Sequence, residues 1–360
     1  MAHNLAQARA RAGGRGIWAV VKANAYGHGI ENAVQAFAHA DGLALLETDE
    51  AQRARAAGWR KPILLLEGVF ERRDFAPVAE LDLTVVVHGF EQIAMIERLR
   101  PAKPVRVYCK FDTGMNRLGF AAGDARAAFD RLAALGHVRI DALMTHLANA
   151  DGGGGSAPGD GAAPSVASQW QALRARIPEW TGAWSVSNSA ALFLHAPGDV
   201  RAGTEFVRPG IALYGASPAA GIAAADLGLR PAMRLRSRLL AVRDVAPGQP
   251  VGYGSRWIAR RPSRIGIVAC GYADGYPRSA PDGTPVWVES AAGGARVSLV
   301  GRVSMDMIAV DLTDMASAVC GDAVELWGAR IGVDEVAERA GTIGYELLSG
   351  LPARARERPE

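Results

Sequence analysis

Eight short apolar runs, each followed by a stretch of helical character, constrain the fold more than any other feature of this chain. They are IWAVVK (17–22), GLALL (42–46), PILLLEG (62–68), LTVVV (83–87), VRVYCKF (105–111), RIDALMTH (139–146), AWSVSNS (183–189) and GIALYG (210–215). Each is rich in Val, Ile and Leu and lacks strict alternation, which is how strands buried on both faces read. Between them, 47–57, 90–99, 124–135 and 166–176 have helical character. Eight strand–helix units over about two hundred residues predict an α/β fold, an N-terminal (β/α)8 TIM-type barrel. A doubly wound open sheet is the alternative, but such sheets seldom need eight units.

After roughly Gly221 the pattern changes. MRLRSRLLAVRDV, SRIGIVAC, PVWVES, ARVSLVGRVSMDMIAVDL and AVELWG are strand-like and are joined by turns such as A-P-G-Q-P and A-P-D-G-T-P. This predicts a mostly β C-terminal domain with a helix near 333–340. The expected division is 1–222 and 223–360, with the boundary falling within 217–230. A glycine-rich stretch, D-G-G-G-G-S-A-P-G-D-G-A-A-P-S (151–165), reads as a permissive loop. Its glycines are too irregular for a phosphate-cradling motif.

Composition narrows the class. Hydrophobic residues make up 49% and charged residues 21%, the balance of a soluble globular protein. A net charge of +3 without a basic cluster argues against nucleic acid as a partner, and the arginine-rich tail at 353–357 reads as a frayed terminus. Three distant cysteines, Cys109, Cys270 and Cys320, show no metal or CxxC spacing. They point to structural thiols in a reducing cytoplasm, with no metal site. The N-terminus lacks the apolar core of a signal peptide, and no apolar run is long enough to cross a bilayer.

Catalytic groups of a (β/α)8 barrel sit at the C-terminal ends of its strands. Lys22 ends the first run. The fifth leads into K-F-D-T-G-M-N-R-L-G (110–119), the sixth into M-T-H-L-A-N-A-D (144–151) and the seventh into S-V-S-N-S-A (185–190); the eighth region carries V-R-P-G-I-A-L-Y-G (207–215). Taken singly, each has an ordinary explanation. Lys22 is a snorkelling lysine, His146 a satisfied core histidine, and Arg117 and Arg208 structural ion-pair residues. Their shared placement at one mouth points instead to a site.

The segment A-V-V-K-A-N-A-Y-G-H-G (19–29) resembles the pyridoxal-phosphate signature of alanine racemases. The resemblance extends in order through D-T-G-M-N-R-L-G, T-H-L-A-N-A-D, S-N-S, R-P-G-I-A-L-Y-G, V-G-Y-G, G-Y-A-D-G-Y, G-R-V-S-M-D-M and T-I-G-Y-E-L-L, covering nearly the whole chain. It implies a barrel followed by a β domain, pyridoxal 5'-phosphate (PLP) as cofactor, and a head-to-tail homodimer with shared active sites. The implied reaction is the interconversion of L- and D-alanine, supplying D-alanine for peptidoglycan. Alternatives are a racemase of broader specificity, or an inactive or merely PLP-binding homologue. Family members also carry a strand ahead of the segment matching H-N-L, whereas here Met1-Ala2 precedes it. Either the start is misassigned or that strand is missing, and in the second case a sheet edge in the β domain is expected to lack a partner.

Residue roles follow from the same resemblance. Lys22 matches the lysine that forms a Schiff base with PLP, for which its amine must be neutral. Tyr253 matches a second base supplied by the partner chain. Racemisation needs protons moved at both faces of one carbon, and a single base does not easily reach both. His146 matches the histidine that hydrogen-bonds this tyrosine. Arg208 matches the arginine facing the pyridine nitrogen, where a permanent cation leaves that nitrogen unprotonated. Tyr26, Asn188, Ser189, the backbone of Gly210 and Ile211, and Tyr345 match cofactor-binding positions, most of them on the phosphate. Arg117 and the partner's Met305 match groups that hold the substrate carboxylate. Lys110 matches a lysine carbamylated in many members, the carbamate orienting Arg117. Asp151, Tyr272, Arg278, Arg302, Asp306 and Ile343 match positions at the entrance gate.

Overall fold

A computed structural model describes residues 1–152, 163–195 and 205–355. The glycine-rich stretch from 153 to 162 and the tail beyond 355 lie outside the described residues. Two compact units are present. The first comprises Met1–Leu213, Pro218–Ile222 and Leu227–Leu229; the second comprises Tyr214–Ser217, Ala223–Asp226 and Arg230–Glu360. The chain thus passes between units several times over residues 214–230.

In the first unit, β1 (Gly16–Val20), β2 (Gly42–Leu45), β3 (Ile63–Leu65), β4 (Leu83–Val87), β5 (Val105–Lys110), β6 (Val138–Met144), β7 (Ala183–Ser185) and β8 (Phe206–Val207) pair in parallel, in the order β7-β6-β5-β4-β3-β2-β1-β8. Bridges Trp184↔Glu205 and Asn188↔Arg208 join the two ends, so the sheet is a near-closed barrel. Its helices are α1 (Ala2–Ala12), α2 (Lys22–Tyr26), α3 (Ile30–Ala36), α4 (Thr48–Ala56), α5 (Phe75–Glu80), α6 (Phe90–Glu97), α7 (Ala125–Ala133), α8 (Val166–Arg176) and α9 (Ser189–Leu194). β2, β3 and β4 are buried at every residue, which explains an apolar sequence broken only by Thr84. Each such side chain contributes about 1.5–3 kcal/mol of burial.

One strand differs from expectation. The run at 210–215 is not the eighth strand; β8 is Phe206–Val207, and Ile211–Tyr214 forms a 3-10 helix. Pro209 explains the difference. It has no amide for a ladder, although its carbonyl still accepts from Val20 N at 3.0 Å. The apolar residues beyond it are fully buried in a turn rather than a strand. Periodicity alone does not separate these two forms in so short a run.

In the second unit, β9 (Leu235–Val245), β10 (Pro250–Val251), β11 (Trp257–Ile258), β12 (Ser263–Val268), β13 (Pro285–Ser290), β14 (Gly293–Val300), β15 (Ile308–Asp311) and β16 (Ala323–Trp327) precede α10 (Val333–Ala340) and α11 (Gly344–Ser349). Six strands close an antiparallel barrel in the order β12-β15-β14-β13-β16-β9. β9 closes it by bending between neighbours, pairing with β16 through Leu235 to Arg238 and with β12 from Leu239 onward. Beyond Arg238 this strand therefore has a ladder on one side only among the described residues, and Leu240 is half exposed.

Candidate active site

Lys22 follows β1 after a single residue, Val21, and the chain then does something rare. Ala23, Asn24, Ala25 and Tyr26 all take positive φ, between 51° and 55°. α2 is thus a turn of left-handed helix built without glycine. Each such residue costs about 1–2 kcal/mol relative to a right-handed one, and strain of this kind concentrates at functional sites. The turn is held by Ala25 N donating to Val21 O at 2.8 Å and Gly27 N to Ala23 O at 3.0 Å. The ring Nδ1 of His28 lies 2.9 Å from Tyr26 O and 3.1 Å from Ala25 O. Burial lowers the Lys22 ammonium's pKa; the negative charges of Glu67 and Glu50 oppose this, and Arg117 adds to it. The result is an amine more readily neutral than an exposed lysine.

β5 ends in Lys110, which is buried. Burial, with the cations Arg208 and Arg117 nearby, pushes its pKa down to about 8. The following loop is organised by one carboxylate. Asp112 Oδ1 accepts from Gly114 N, Met115 N and Asn116 N at 2.8, 3.0 and 3.1 Å. Phe120 N donates to Lys110 O and Asp112 N to Phe120 O, so the loop closes on its own base. Gly119 is required there, because a Cβ would lie 2.5 Å from Asp112 N. This places the exposed Arg117 where its charge reaches Lys22, Lys110 and His146.

Arg208, just past β8, is buried with its guanidinium fanned across the ends of β6 and β7. It donates to Ser185 Oγ at 2.6 Å, Thr145 O at 2.7 Å and Val186 O at 3.2 Å, and its Nη2 lies 3.4 Å from His146 Nδ1. Burial lowers its pKa to about 10, so it remains a cation at neutral pH. His146 is held well below the ordinary histidine range, by burial first and then by Arg208. It is therefore neutral. Since an arginine only donates, Nδ1 is the acceptor and Nε2 carries the proton.

Tyr26, Ser189 and Gly210 meet beside this cation. Ser189 Oγ accepts from Gly210 N at 2.8 Å and Ala212 N at 3.4 Å. A Cβ on Gly210 would lie 2.4 Å from the Tyr26 hydroxyl, so only glycine lets the hydroxyl reach this backbone. Ile211 opens the 3-10 helix that follows. The Asn188 side chain caps α9, accepting from Ala191 N at 2.9 Å; it shapes the cradle through the backbone.

Residues of the second unit gather on a face of their own. Tyr253 is 72% exposed and Met305 54%. Arg302 packs its guanidinium against Gly254, next to Tyr253. Tyr272 N donates to Ser304 O and Ala273 N to Met305 O, tying the Tyr272 turn to the Met305 loop. Asp306 pairs with Arg354 at 2.7 Å. Arg278 and Ile343 are exposed, as is Asp151 in the first unit. Tyr345 is half-buried in the first turn of α11. Among the described residues no cluster of His, Cys, Asp or Glu suits a metal ion, and no helix is long and apolar enough to cross a membrane.

Sequence reading missed Glu67 and Glu50, both of which act electrostatically on Lys22. Glu67 was findable, as the polar end of the third apolar run. Glu50 lies in the first turn of α4, where acids are ordinary, and nothing in the sequence marks it.

Fold and site together define a (β/α)8-barrel protein with a strand-end lysine, a neutral histidine and a buried arginine at one mouth. The N-terminal domain profile of alanine racemases matches residues 1–218, and the C-terminal domain profile matches 232–358. The chain is 50% identical to the alanine racemase of Leptothrix cholodnii and 48% identical to that of Janthinobacterium sp. (strain Marseille). Each alignment covers 98% of this chain and 94% of the relative. Its fold is similar to the biosynthetic alanine racemase of Pseudomonas aeruginosa, with a TM-score of 0.89 at 45% identity, over 98% of this chain and 94% of that one. The alanine racemase of Bartonella henselae, solved with covalently bound pyridoxal phosphate, is similar at a TM-score of 0.84 and 28% identity, over 98% and 95% of the two chains. The chain belongs to the alanine racemase family and is an enzyme of the isomerase class.

Proposed function

We propose that this enzyme interconverts L- and D-alanine with PLP bound covalently through Lys22 Nζ. The observation that carries the reading is the mouth of the first barrel: a lysine amine with lowered pKa, a neutral His146 and the buried Arg208 stand at the ends of β1, β6 and β8. These residues suit the cofactor. A neutral amine suits an aldehyde, and the hydroxyls of Tyr26 and Ser189 with the Ile211 amide, joined by the Gly210 amide once it leaves Ser189 Oγ, would be the donor set that a phosphate dianion needs. Tyr345 adds a further hydroxyl. When bound, the cofactor supplies an electron sink for the charge left on the substrate when its Cα proton departs.

The chain's own groups do the rest. Lys22 Nζ, freed once the substrate amine has taken its place, would take or return the Cα proton on one face of the substrate. Tyr253 Oη does so on the other, supplied from the partner of a homodimer; its exposure in its own subunit fits a residue whose work lies in another. His146 Nε2–H donates to that phenol oxygen and stabilises it when deprotonated. Arg208, charged and a poor proton donor, would stand towards the ring nitrogen and leave it unprotonated. Arg117 and the partner's Met305 amide hold the substrate carboxylate. Asp151, Tyr272, Arg278, Arg302, Asp306 and Ile343 line the approach. The product D-alanine serves peptidoglycan synthesis in the cytoplasm.

The test is exchange in D2O with a panel of L-amino acids, following Cα deuteration and chirality. Alanine should exchange and racemise, Lys22→Ala should abolish both, and Tyr253→Phe should lower the two directions unequally. Absence of exchange with alanine defeats the assignment. Full rates in both directions with Tyr253→Phe defeat the two-base scheme.

A further inference from the structure

We propose that Glu50 is a positioning residue for Lys22: its carboxylate caps the left-handed turn through the Asn24 amide and so fixes how the lysine leaves β1. The proposal rests on Lys22 being the reacting amine, as proposed above. It deepens that reading by naming what holds the amine in place.

Three observations carry it. First, α2 adopts a backbone conformation that its residues, Ala23, Asn24, Ala25 and Tyr26, resist by themselves. Such a turn persists only where its surroundings over-determine it. Second, Asn24 is the junction of those surroundings. Its amide donates to Glu50 Oε1 at 2.6 Å, its carbonyl accepts from Gly29 N at 2.9 Å, and its Oδ1 accepts from Ile30 N at 3.3 Å, where α3 begins. The Glu50 bond is the one that reaches out of the segment, to α4 behind β2. Third, Glu50 Oε2 is buried without a hydrogen-bond partner. An ordinary first-turn acid stays in water, as the exposed Asp49 beside it does. Leaving one oxygen of a buried carboxylate unpartnered is unfavourable; burial raises the pKa of Glu50 while the backbones of Asn24, Leu46 and Glu47 hold it down, and its charge acts on Lys22 after those of Glu67 and Arg117. The charged groups that act on Lys22 are Glu67, Arg117 and Glu50, and Glu50 itself faces Glu47.

Two variants separate the components. Glu50→Gln keeps an oxygen for the Asn24 amide and removes the charge; Glu50→Ala removes both. The primary readout is the pH dependence of Lys22 reductive methylation in the cofactor-free full-length chain, followed by peptide mass spectrometry. Thermal midpoints and kcat and KM for alanine accompany it. Loss of an attractive negative charge lowers the pH at which Lys22 becomes reactive in both variants. Glu50→Ala is also expected to lower kcat on the order of 10²-fold through misplacement of the amine, with most of the loss rescued in Glu50→Gln. A lower thermal midpoint with the Lys22 titration unmoved marks a merely structural residue and overturns the proposal. If Glu50→Ala does not fold, Glu50→Asp decides, because it keeps the charge and draws the carboxylate back from the Asn24 amide: a fall in kcat at an unchanged KM supports the proposal and an unchanged kcat overturns it. Failure of the wild type to racemise alanine overturns the reaction assignment instead, while the methylation profile, which needs no turnover, still decides on Glu50.

Discussion

At the scale of single residues, the site is an exercise in lowering the proton affinity of cationic groups. Lys22, Lys110, His146 and Arg208 all sit below their ordinary values, with burial as the leading cause in each. Packing cations together adds to the effect, since each disfavours charge on the others. Lys110 gains most chemically. With a pKa of about 8, a good fraction of its amine is neutral near physiological pH. A neutral amine can bond to the carbon of CO2 with release of one proton, giving a carbamate anion that Arg208 and Arg117 stabilise. Protein prepared with 13C-bicarbonate should show a carbamate 13C resonance that is absent from Lys110→Ala. If that carbamate orients Arg117, activity of the variant should fall about tenfold and recover in part with a small added carboxylate. A missing resonance in the wild type would show Lys110 to be unmodified.

At the scale of elements, backbone shape decides where these side chains stand. The turn at 22–26, the Asp112 loop and the contact of Tyr26 with Gly210 are all local devices fixed by distant partners. Gly210→Ala should disturb the cradle, since its Cβ meets the Tyr26 hydroxyl at 2.4 Å. Weaker PLP retention and a stability loss of about 1–3 kcal/mol are expected. Adding Tyr26→Phe, which removes the clashing oxygen, should cost less than the two losses summed, measured by thermal melts in a double-mutant cycle. In the second unit, Asp334 opens α10 and accepts from Ser217 N at 2.8 Å. Burial raises its pKa from 3.8 to about 6. The folded state thus holds a proton that the unfolded state has lost, and stability from this group falls as pH rises through that window. Asp334→Asn should remove the fall, so that melting points of variant and wild type diverge between about pH 4 and pH 6 and then run parallel. Curves that stay parallel throughout would show that Asp334 does not titrate there.

For the whole molecule, the strongest expectation is a site shared between subunits. Lys22→Ala and Tyr253→Phe proteins, each with little activity, should complement when mixed and allowed to exchange. Half of the dimers then pair one of each, and each such dimer holds one intact site, so about a quarter of wild-type activity should return. A mixture no more active than its components would place both residues in the service of one chain.

Much of this protein follows from its sequence alone. Buried parallel strands need apolar side chains on both faces, so their number and order are written as runs of Val, Ile and Leu. Chemistry at a barrel mouth needs polar residues at strand ends, so Lys22, Lys110, His146 and Arg208 could be picked out by position. Tertiary structure decided what depends on geometry between segments distant in the chain. It made 211–214 a 3-10 turn after Pro209 rather than a strand. It turned Asn188 into a helix cap, gave His146 its neutral tautomer through Arg208, and wound α2 left-handed. It also brought Glu50, an unremarkable helix acid in the sequence, against the turn that carries Lys22. The reason is physical: a repeating pattern is encoded residue by residue, whereas a hydrogen bond or a shifted proton affinity belongs to a pair that only folding brings together.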